Sequence, residues 1–250
     1  MFPLQTTVFA RHVPIITWVI IGLNGLVFFM EAGLPPEHLQ QISYLFGVVP
    51  ARFTHPDWAA QAGFPLYAYW PFVTSLFLHG GLLHIVGNMW TLAVFGRNVE
   101  DRMGSLRFLL FYLLCGIISG IVHTMMNADS TLPAIGASGA IAGVMGAYLA
   151  MFPTSRVIVM IPIFIFPVFF DFLAIFYLGY WFLLQFFSGV WAMTASSDGG
   201  GIAFWAHVGG FAAGVLLFGI FLRPKTDRKP CHDDELCNEY AWLPFGEEKR

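Results

Sequence analysis

Charged residues are scarce in this sequence: only 11% of its 250 residues are charged, while 57% are hydrophobic. A soluble domain has about 25% charged and roughly 45–50% apolar residues, so an ordinary water-soluble globular protein is excluded. The net charge of −3 lacks the basic excess of a nucleic-acid-binding protein, and no nucleic acid partner is expected. The three cysteines are too few for a disulfide framework. What the sequence does have is long, continuous apolar runs, which predict a helical protein embedded in a lipid bilayer.

Six apolar runs approach the roughly 20 residues that a helix needs to cross the hydrocarbon core of a bilayer. They cover residues 14–30, 82–96, 106–126, 137–152, 171–191 and 202–222. The second and fourth runs are short, so they are expected to lie among the other helices. The segment 157–170 contains Pro162 and Pro167, which predicts a re-entrant or interfacial segment that leads into the fifth span. Asp171 is expected to cap the fifth helix.

These runs predict an all-α membrane protein with three parts. Residues 1–13 form a cytoplasmic N-terminus, residues 14–222 form a six-helix membrane domain, and residues 223–250 form a polar cytoplasmic tail. With this orientation every Lys and Arg except Arg52 lies on the cytoplasmic side, in agreement with the positive-inside rule. The long first loop is rich in Trp, Tyr and Pro, so it is expected to lie in the outer membrane–water interface.

Polar residues within the apolar runs are costly in a bilayer, so each one marks a candidate functional site. His84 and Asn88 are four residues apart and therefore share one helix face. Ser138 lies where the fourth run begins, and the free N–H groups and positive dipole end of a helix start suit a nucleophile that yields an oxyanion. In the sixth run, His207 shares one face with Gly210 and Gly214.

Each of these polar groups also has a purely structural interpretation. His and Asn often form hydrogen bonds between transmembrane helices, and Ser is a common helix N-cap. Together, however, they make a consistent chemistry, because a Ser hydroxyl needs a base to take its proton, His suits that task, and an oxyanion needs prearranged donors. Small residues in the fourth and sixth runs allow close helix packing, which would bring Ser138 beside His207. The sixth run contains no acidic residue, so a Ser–His dyad without a third carboxylate is expected.

These motifs, in this order, resemble those of the rhomboid family of intramembrane serine proteases. The resemblance rests on H-x-x-x-N at residues 84–88, G-x-S-G at residues 136–139 and A-H-x-x-G-x-x-x-G at residues 206–214. Residues 98–104 also look like the family's loop after the second span, and His79 matches a family histidine that is usually structural. The likeness extends over nearly all six spans and implies a six-helix rhomboid-like bundle with a large interfacial first loop.

The resemblance implies a serine endopeptidase that cleaves peptide bonds in or beside transmembrane segments of other membrane proteins. It implies Ser138 as nucleophile, His207 as general base, and an oxyanion hole formed by the Ser138 backbone N–H, His84 and Asn88. No cofactor is implied, and the expected partners are transmembrane protein substrates and the lipid bilayer. A multi-pass bacterial plasma (inner) membrane location, with both termini cytoplasmic, is also implied.

Lateral access of the substrate near the fifth span is a further implication of the resemblance. Trp181, Phe182 and Phe186 are expected to form the gate through which substrate passes. The loop at residues 192–201 is expected to act as a cap, and Gly200 belongs to a glycine run that gives its backbone freedom.

The sequence departs from the family pattern at two positions. Many rhomboids have Trp-Arg in the first loop, whereas Trp70 is followed here by Pro71. Some relatives place a Tyr four residues after the nucleophile, stacked on the catalytic His, and that position is Ala142 here. The imidazole must then be held by packing or by another aromatic ring.

Three alternatives compete with these predictions. Cys231 and Cys237 flank His232 in the tail and could bind zinc, but their spacing fits a zinc site poorly, so no metal site is expected and a solvated acidic tail is the simpler interpretation. A non-catalytic rhomboid-like protein that binds or escorts membrane proteins is the second alternative. A transporter is the third, and the near absence of charge within the spans argues against ion coupling.

Overall fold

The computed structural model describes residues 2–65, 67–164, 166–194 and 203–223, and these ranges are mostly helical, as predicted. The helices are α1 (Ile15–Ala32), α2 (Pro36–Phe46), α3 (Pro50–Thr54), α4 (Pro56–Gln61), α5 (Pro71–Thr74), α6 (Leu82–Met103), α7 (Ser105–Met126), α8 (Ser138–Met151), α9 (Ala174–Thr194) and α10 (Phe204–Phe221). A 3-10 turn at Ser75–Phe77 follows α5. The strands are β1 (Phe2–Thr6), β2 (Arg156–Ile163) and β3 (Phe166–Leu173).

The six predicted runs coincide with the long helices α1, α6, α7, α8, α9 and α10. Helices α1, α7, α9 and α10 are long and apolar enough to cross a membrane. The segment Pro71–Phe77 and α6 meet the same test as a pair bent by 97°. Helix α8 has only 14 residues and is buried among its neighbours from Gly139 to Tyr148, as predicted for the short fourth run. The chain is therefore a multi-pass membrane protein, and the presence of six membrane crossings stays a prediction.

Helix α6 extends past the end of its apolar run. Its last turns carry polar side chains, and these form hydrogen bonds with buried groups elsewhere in the protein. The Glu100 carboxylate accepts hydrogen bonds from the backbone N–H groups of Ile16 (2.9 Å) and Thr17 (2.8 Å), and from the Thr17 hydroxyl (2.7 Å). It thereby satisfies N–H groups at the start of α1 that have no partner within the helix. Residues 98–104, which resemble a family loop, are instead the helical end of α6 and its glycine C-cap.

Helices α8 and α10 pack backbone against backbone at the centre of the bundle. A Cβ atom placed on Gly210 would collide with the carbonyl oxygen of Gly139, and one placed on Gly214 would collide with that of Gly143. Glycine faces of this kind allow membrane helices to approach closely. The contact aligns the start of α8 with the first turns of α10, where Ser138 and the sixth-run histidine lie.

The segment 157–170, predicted as a re-entrant or interfacial segment that leads into the fifth span, forms an antiparallel hairpin of β2 and β3 directly before α9. Its location relative to the membrane stays a prediction. Strand β1 pairs antiparallel with β2, which gives the sheet order β1-β2-β3. Pro162 and Pro167 face each other near the turn, and proline disfavours a helix while β-branched and aromatic neighbours favour strands. Asp171 does not cap α9, because β3 extends past it, and its carboxylate pairs with Arg156 at 2.6 Å.

The first loop folds into short helices around a buried cation. Arg52 is only 6% exposed, and its guanidinium carbon lies 5.2 Å from the ring centre of Phe64 and 5.5 Å from that of Trp70. Trp70 therefore has a cationic partner from elsewhere in the loop, although Pro71 stands where the family pattern has Arg. This arrangement also explains how the one basic residue of the first loop is accommodated among aromatic rings.

Candidate active site

Ser138 and His207 meet where α8 and α10 cross. Ser138 is the first residue of α8, and His207 lies in the first turns of α10. The Ser138 Oγ and His207 Nε2 atoms are 2.8 Å apart, within hydrogen-bonding distance. Because the glycine contacts fix the two helix starts against each other, this contact follows from the main-chain packing. The arrangement allows the imidazole to take the hydroxyl proton.

Two residues of α9 hold the imidazole from its other side. Gln185 Oε1 lies 2.8 Å from His207 Nδ1, and the Trp181 ring centre lies 5.8 Å from the imidazole centre with an interplanar angle of 38°. Trp181 thus supplies the aromatic neighbour that Ala142 is too small to provide. Sequence reasoning missed Gln185, although it is the single carboxamide of the fifth apolar run and lies four residues after Trp181, on the same helix face.

His84 and Asn88 lie against the loop that leads into α8. Gly136, two residues before Ser138, has φ +123, and a Cβ there would lie 2.7 Å from His84 Nε2 and 3.6 Å from Asn88 Nδ2. Any side chain at Gly136 would therefore collide with the His84 ring and come into contact with Asn88. Asn88 Nδ2 also lies 3.0 Å from His79 Nε2, which orients the carboxamide.

The other residues predicted to form the gate and the cap are Phe182, Phe186 and Gly200. Phe182 packs on Phe211 of α10 with ring centres 4.9 Å apart, and Phe186 lies edge-on to Trp205 at 5.9 Å. These contacts place both phenylalanines between α9 and α10. Gly200 lies outside the described residues.

Two cavities open beside Ser138. The larger, of about 680 Å³, lies between α6, α8 and α9, and its lining is mostly apolar but includes Asn88, Ser138 and His207. The smaller, of about 30 Å³, is lined by Ser138 together with Ser119 and His123 of α7. The smaller cavity has room for a water molecule beside several polar groups. Sequence reasoning did not single out Ser119 or His123, since neither belongs to one of the three motifs.

Within the ranges that the structure describes, no three His, Cys, Asp or Glu side chains are grouped so that they could hold a metal ion. The tail segment with Cys231, His232 and Cys237 lies outside those ranges.

The chain is similar to several curated proteins. It is 33% identical over 117 residues to the putative rhomboid protease YdcA of Bacillus subtilis. The aligned region covers 45% of this chain and 58% of that protein. It is 30% identical over 153 residues to the rhomboid protease GluP of Bacillus subtilis, and the aligned region covers 61% of this chain and 27% of that protein. It is 37% identical over 81 residues to the mitochondrial RHOMBOID-like protein 6 of Arabidopsis thaliana, covering 32% and 26%. The aligned regions thus span between about a quarter and three fifths of these relatives.

The Rhomboid domain family matches residues 67–224, well over half of the chain. This region contains α6 to α10 and both side chains of the 2.8 Å pair. Since the match covers well over half of the chain and includes both Ser138 and His207, the chain belongs to the rhomboid family.

Proposed function

We propose that this protein is an intramembrane serine endopeptidase that hydrolyses peptide bonds in or next to the transmembrane segments of other membrane proteins. The observation that carries the proposal is the 2.8 Å distance between Ser138 Oγ and His207 Nε2 at the wall of an open cavity. A hydroxyl held on an imidazole, beside space for a substrate, is the arrangement that Ser–His hydrolysis requires.

In this proposal Ser138 Oγ attacks the carbonyl carbon of the scissile bond while His207 Nε2 takes the hydroxyl proton. The protonated imidazole then gives that proton to the leaving amine as the C–N bond breaks, which leaves an ester on Ser138. A water molecule attacks this ester with His207 again acting as base, and the proton returns to Ser138 Oγ. We propose the small cavity lined by Ser138, Ser119 and His123 as the place from which such a water reaches the ester.

The tetrahedral oxyanion would be stabilised by three donors. They are the backbone N–H of Ser138, whose position at the start of α8 leaves it without a helical partner, and the side chains of His84 and Asn88. Both side chains lie against Gly136, on the loop that carries Ser138 into the helix. Removing one oxyanion donor typically lowers the rate about 10²–10³-fold.

The 680 Å³ cavity between α6, α8 and α9 is the proposed site of the substrate segment. Its apolar lining suits the side chains of a transmembrane helix. We place the lateral gate at α9, where the contacts of Phe182 with Phe211 and of Phe186 with Trp205 would have to separate to widen the opening. The proposed location is the plasma membrane, with both termini cytoplasmic.

A serine-directed fluorophosphonate probe tests this proposal on the full chain in liposomes, together with cleavage of a reporter transmembrane substrate. We expect labelling and cleavage in the wild type and neither in Ser138→Ala or His207→Ala. Ser188→Ala in α9 and His55→Ala in the first loop are matched controls that should retain both. Retained activity in either dyad variant rejects the dyad. A folded wild type that is neither labelled nor active supports instead a non-catalytic rhomboid-like protein that binds or escorts membrane proteins.

A further inference from the structure

Gln185 is the polar group of α9 that reaches the proposed dyad. Its Oε1 atom is 2.8 Å from His207 Nδ1, on the opposite side of the imidazole from Ser138. Helix α9 otherwise presents mainly apolar side chains, and Trp181, one turn earlier, lies on the same imidazole. The polar and aromatic contacts therefore come from one face of one helix.

The two nitrogens of a neutral imidazole have opposite roles, since one donates its proton and the other accepts. For Ser138 Oγ to lose its proton to Nε2, the proton of the neutral ring must lie on Nδ1. That Nδ1–H group then needs an acceptor, and a carboxamide oxygen at 2.8 Å provides one. Among the described residues, the hydrogen-bond partner of His207 Nδ1 is the carboxamide of Gln185, which is uncharged.

We infer that Gln185 is a positioning residue that accepts a hydrogen bond from His207 Nδ1–H, and so fixes the tautomer and ring orientation that make Nε2 the base. The inference rests on the proposed function for its effect on rate, but the tautomer itself exists whether or not the protein is an enzyme. Gln185 takes the place of the orienting carboxylate of a Ser-His-Asp triad. Because the carboxamide carries no charge, it orients the ring without adding a negative charge within the membrane.

Two variants separate the acceptor from the bulk of the side chain. Gln185→Met keeps the length but cannot accept a comparable hydrogen bond, and Gln185→Glu keeps the shape and an acceptor oxygen. Tyr180→Phe is the control on the same helix, because it removes a polar group from a residue that is 54% exposed. The thermal unfolding temperature of each variant is measured alongside, to separate misfolding from mispositioning.

The first readout is the tautomer, observed by NMR of the full chain with ¹⁵N-labelled histidine and with the His207 signal assigned by its loss in His207→Ala. We expect the Nδ1–H form in the wild type and in Tyr180→Phe, and a mixture of both tautomers in Gln185→Met. An Nε2–H form in the wild type, or an unchanged spectrum in a folded Gln185→Met, overturns the inference. This readout does not depend on activity, so failure of the proposed function would be recognised separately by the absence of probe labelling.

The second readout is the rate. We expect Gln185→Met to lower kcat for the reporter substrate about 10–100-fold, with KM little changed, because the Nδ1–H group of His207 loses its acceptor. Gln185→Glu should recover most of that loss. A kcat for Gln185→Met equal to that of the wild type, or a Gln185→Glu variant that is folded and as slow as Gln185→Met, contradicts the role of the carboxamide oxygen as acceptor.

Discussion

Gly210 of α10 lies directly against the backbone carbonyl of Gly139 in α8, with no space for a Cβ atom between them. Gly139 follows Ser138 in sequence, and Gly210 lies one turn after His207. The distance between the hydroxyl and the imidazole is therefore set by a contact between two main chains. Any group larger than hydrogen at this crossing must push the dyad apart.

Gly210→Ala is accordingly expected to lower both stability and activity. Overpacking of this kind costs about 1–3 kcal/mol, and a displacement of about 1 Å in an active site can cost about 10²-fold in rate. Probe labelling and denaturant unfolding of the full chain measure the two effects. Gly219→Ala, on the same helix with nothing within 4 Å of the new Cβ, should behave as the wild type. Equal labelling of the two variants would show that the glycine contact does not position the dyad.

Asn88→Ala tests the proposed oxyanion hole. We expect cleavage of the reporter substrate to fall about 10²–10³-fold while the protein still folds, because one donor to the oxyanion is lost. Asn88 also contacts His79, so His79→Ala is made in parallel to measure the effect of losing the orientation alone. A rate for Asn88→Ala that matches the wild type would remove this residue from the oxyanion hole.

Glu100→Ala is expected to destabilise the junction of α1 and α6. Glu100 is 2% exposed, and its loss leaves the buried N–H groups of Ile16 and Thr17 without their acceptor. A buried polar group left unpaired costs about 1–3 kcal/mol, so we expect a loss of about 3 kcal/mol in the free energy of unfolding. Glu37→Ala, on the exposed α2, should change this free energy by less than about 0.5 kcal/mol. A similar small change in Glu100→Ala would show that water replaces the carboxylate.

The sequence was sufficient to predict the helical membrane bundle, because an apolar run long enough to cross a bilayer has few alternatives to forming a helix there. The proximity of Ser138 and His207 was predictable for a related reason, since both lie beside small residues that let helices approach. These predictions depend on local composition and on spacing within one helix, which a single sequence displays directly.

Other features depend on contacts between distant segments, which one sequence does not display. The pairing of β1 with β2 joins residues that are far apart in sequence, such as Phe2 and Met160. The hairpin at residues 157–170 is as apolar as a buried helix segment would be. Gln185 belongs to no motif, since its contact with His207 forms only when α9 packs against α10. Arg52 reaches Trp70 through the fold of the first loop rather than through adjacency in sequence.

His55 and Asp129 form an exposed pair outside the spanning helices, with 2.7 Å between Nε2 and Oδ1. The hydrogen bond to Asp129, together with one involving the backbone of Thr54, raises the pKa of His55 above its ordinary value of 6.5. A raised pKa in the folded state means that the stabilisation is complete below about pH 6.5 and is lost as the pH rises through the folded-state pKa. The effect on stability is small, because both side chains are exposed to water.

Asp129→Asn is therefore expected to lower the pKa of His55 in an NMR titration. It should also reduce the difference in unfolding temperature between acidic and alkaline pH that the wild type shows. Asp57→Asn, at an acidic residue of the first loop outside this pair, serves as the control and should leave the His55 titration unchanged. An identical titration of His55 in wild type and Asp129→Asn would mean that the carboxylate does not hold the imidazolium.

Trp90 anchors the N-terminal strand to the wall of the larger cavity. Its indole N–H donates a hydrogen bond to the Pro3 carbonyl, and residues 2–4 of β1 line the same cavity as Ser138. Trp90→Phe removes the donor while keeping an aromatic ring. Since a hydrogen bond contributes about 1 kcal/mol net, backbone amide exchange in residues 4–6 should become about fivefold faster. Trp18→Phe, at an exposed tryptophan of α1, should leave that exchange unchanged, and equal exchange in Trp90→Phe and wild type would show that pairing with β2 alone holds the strand.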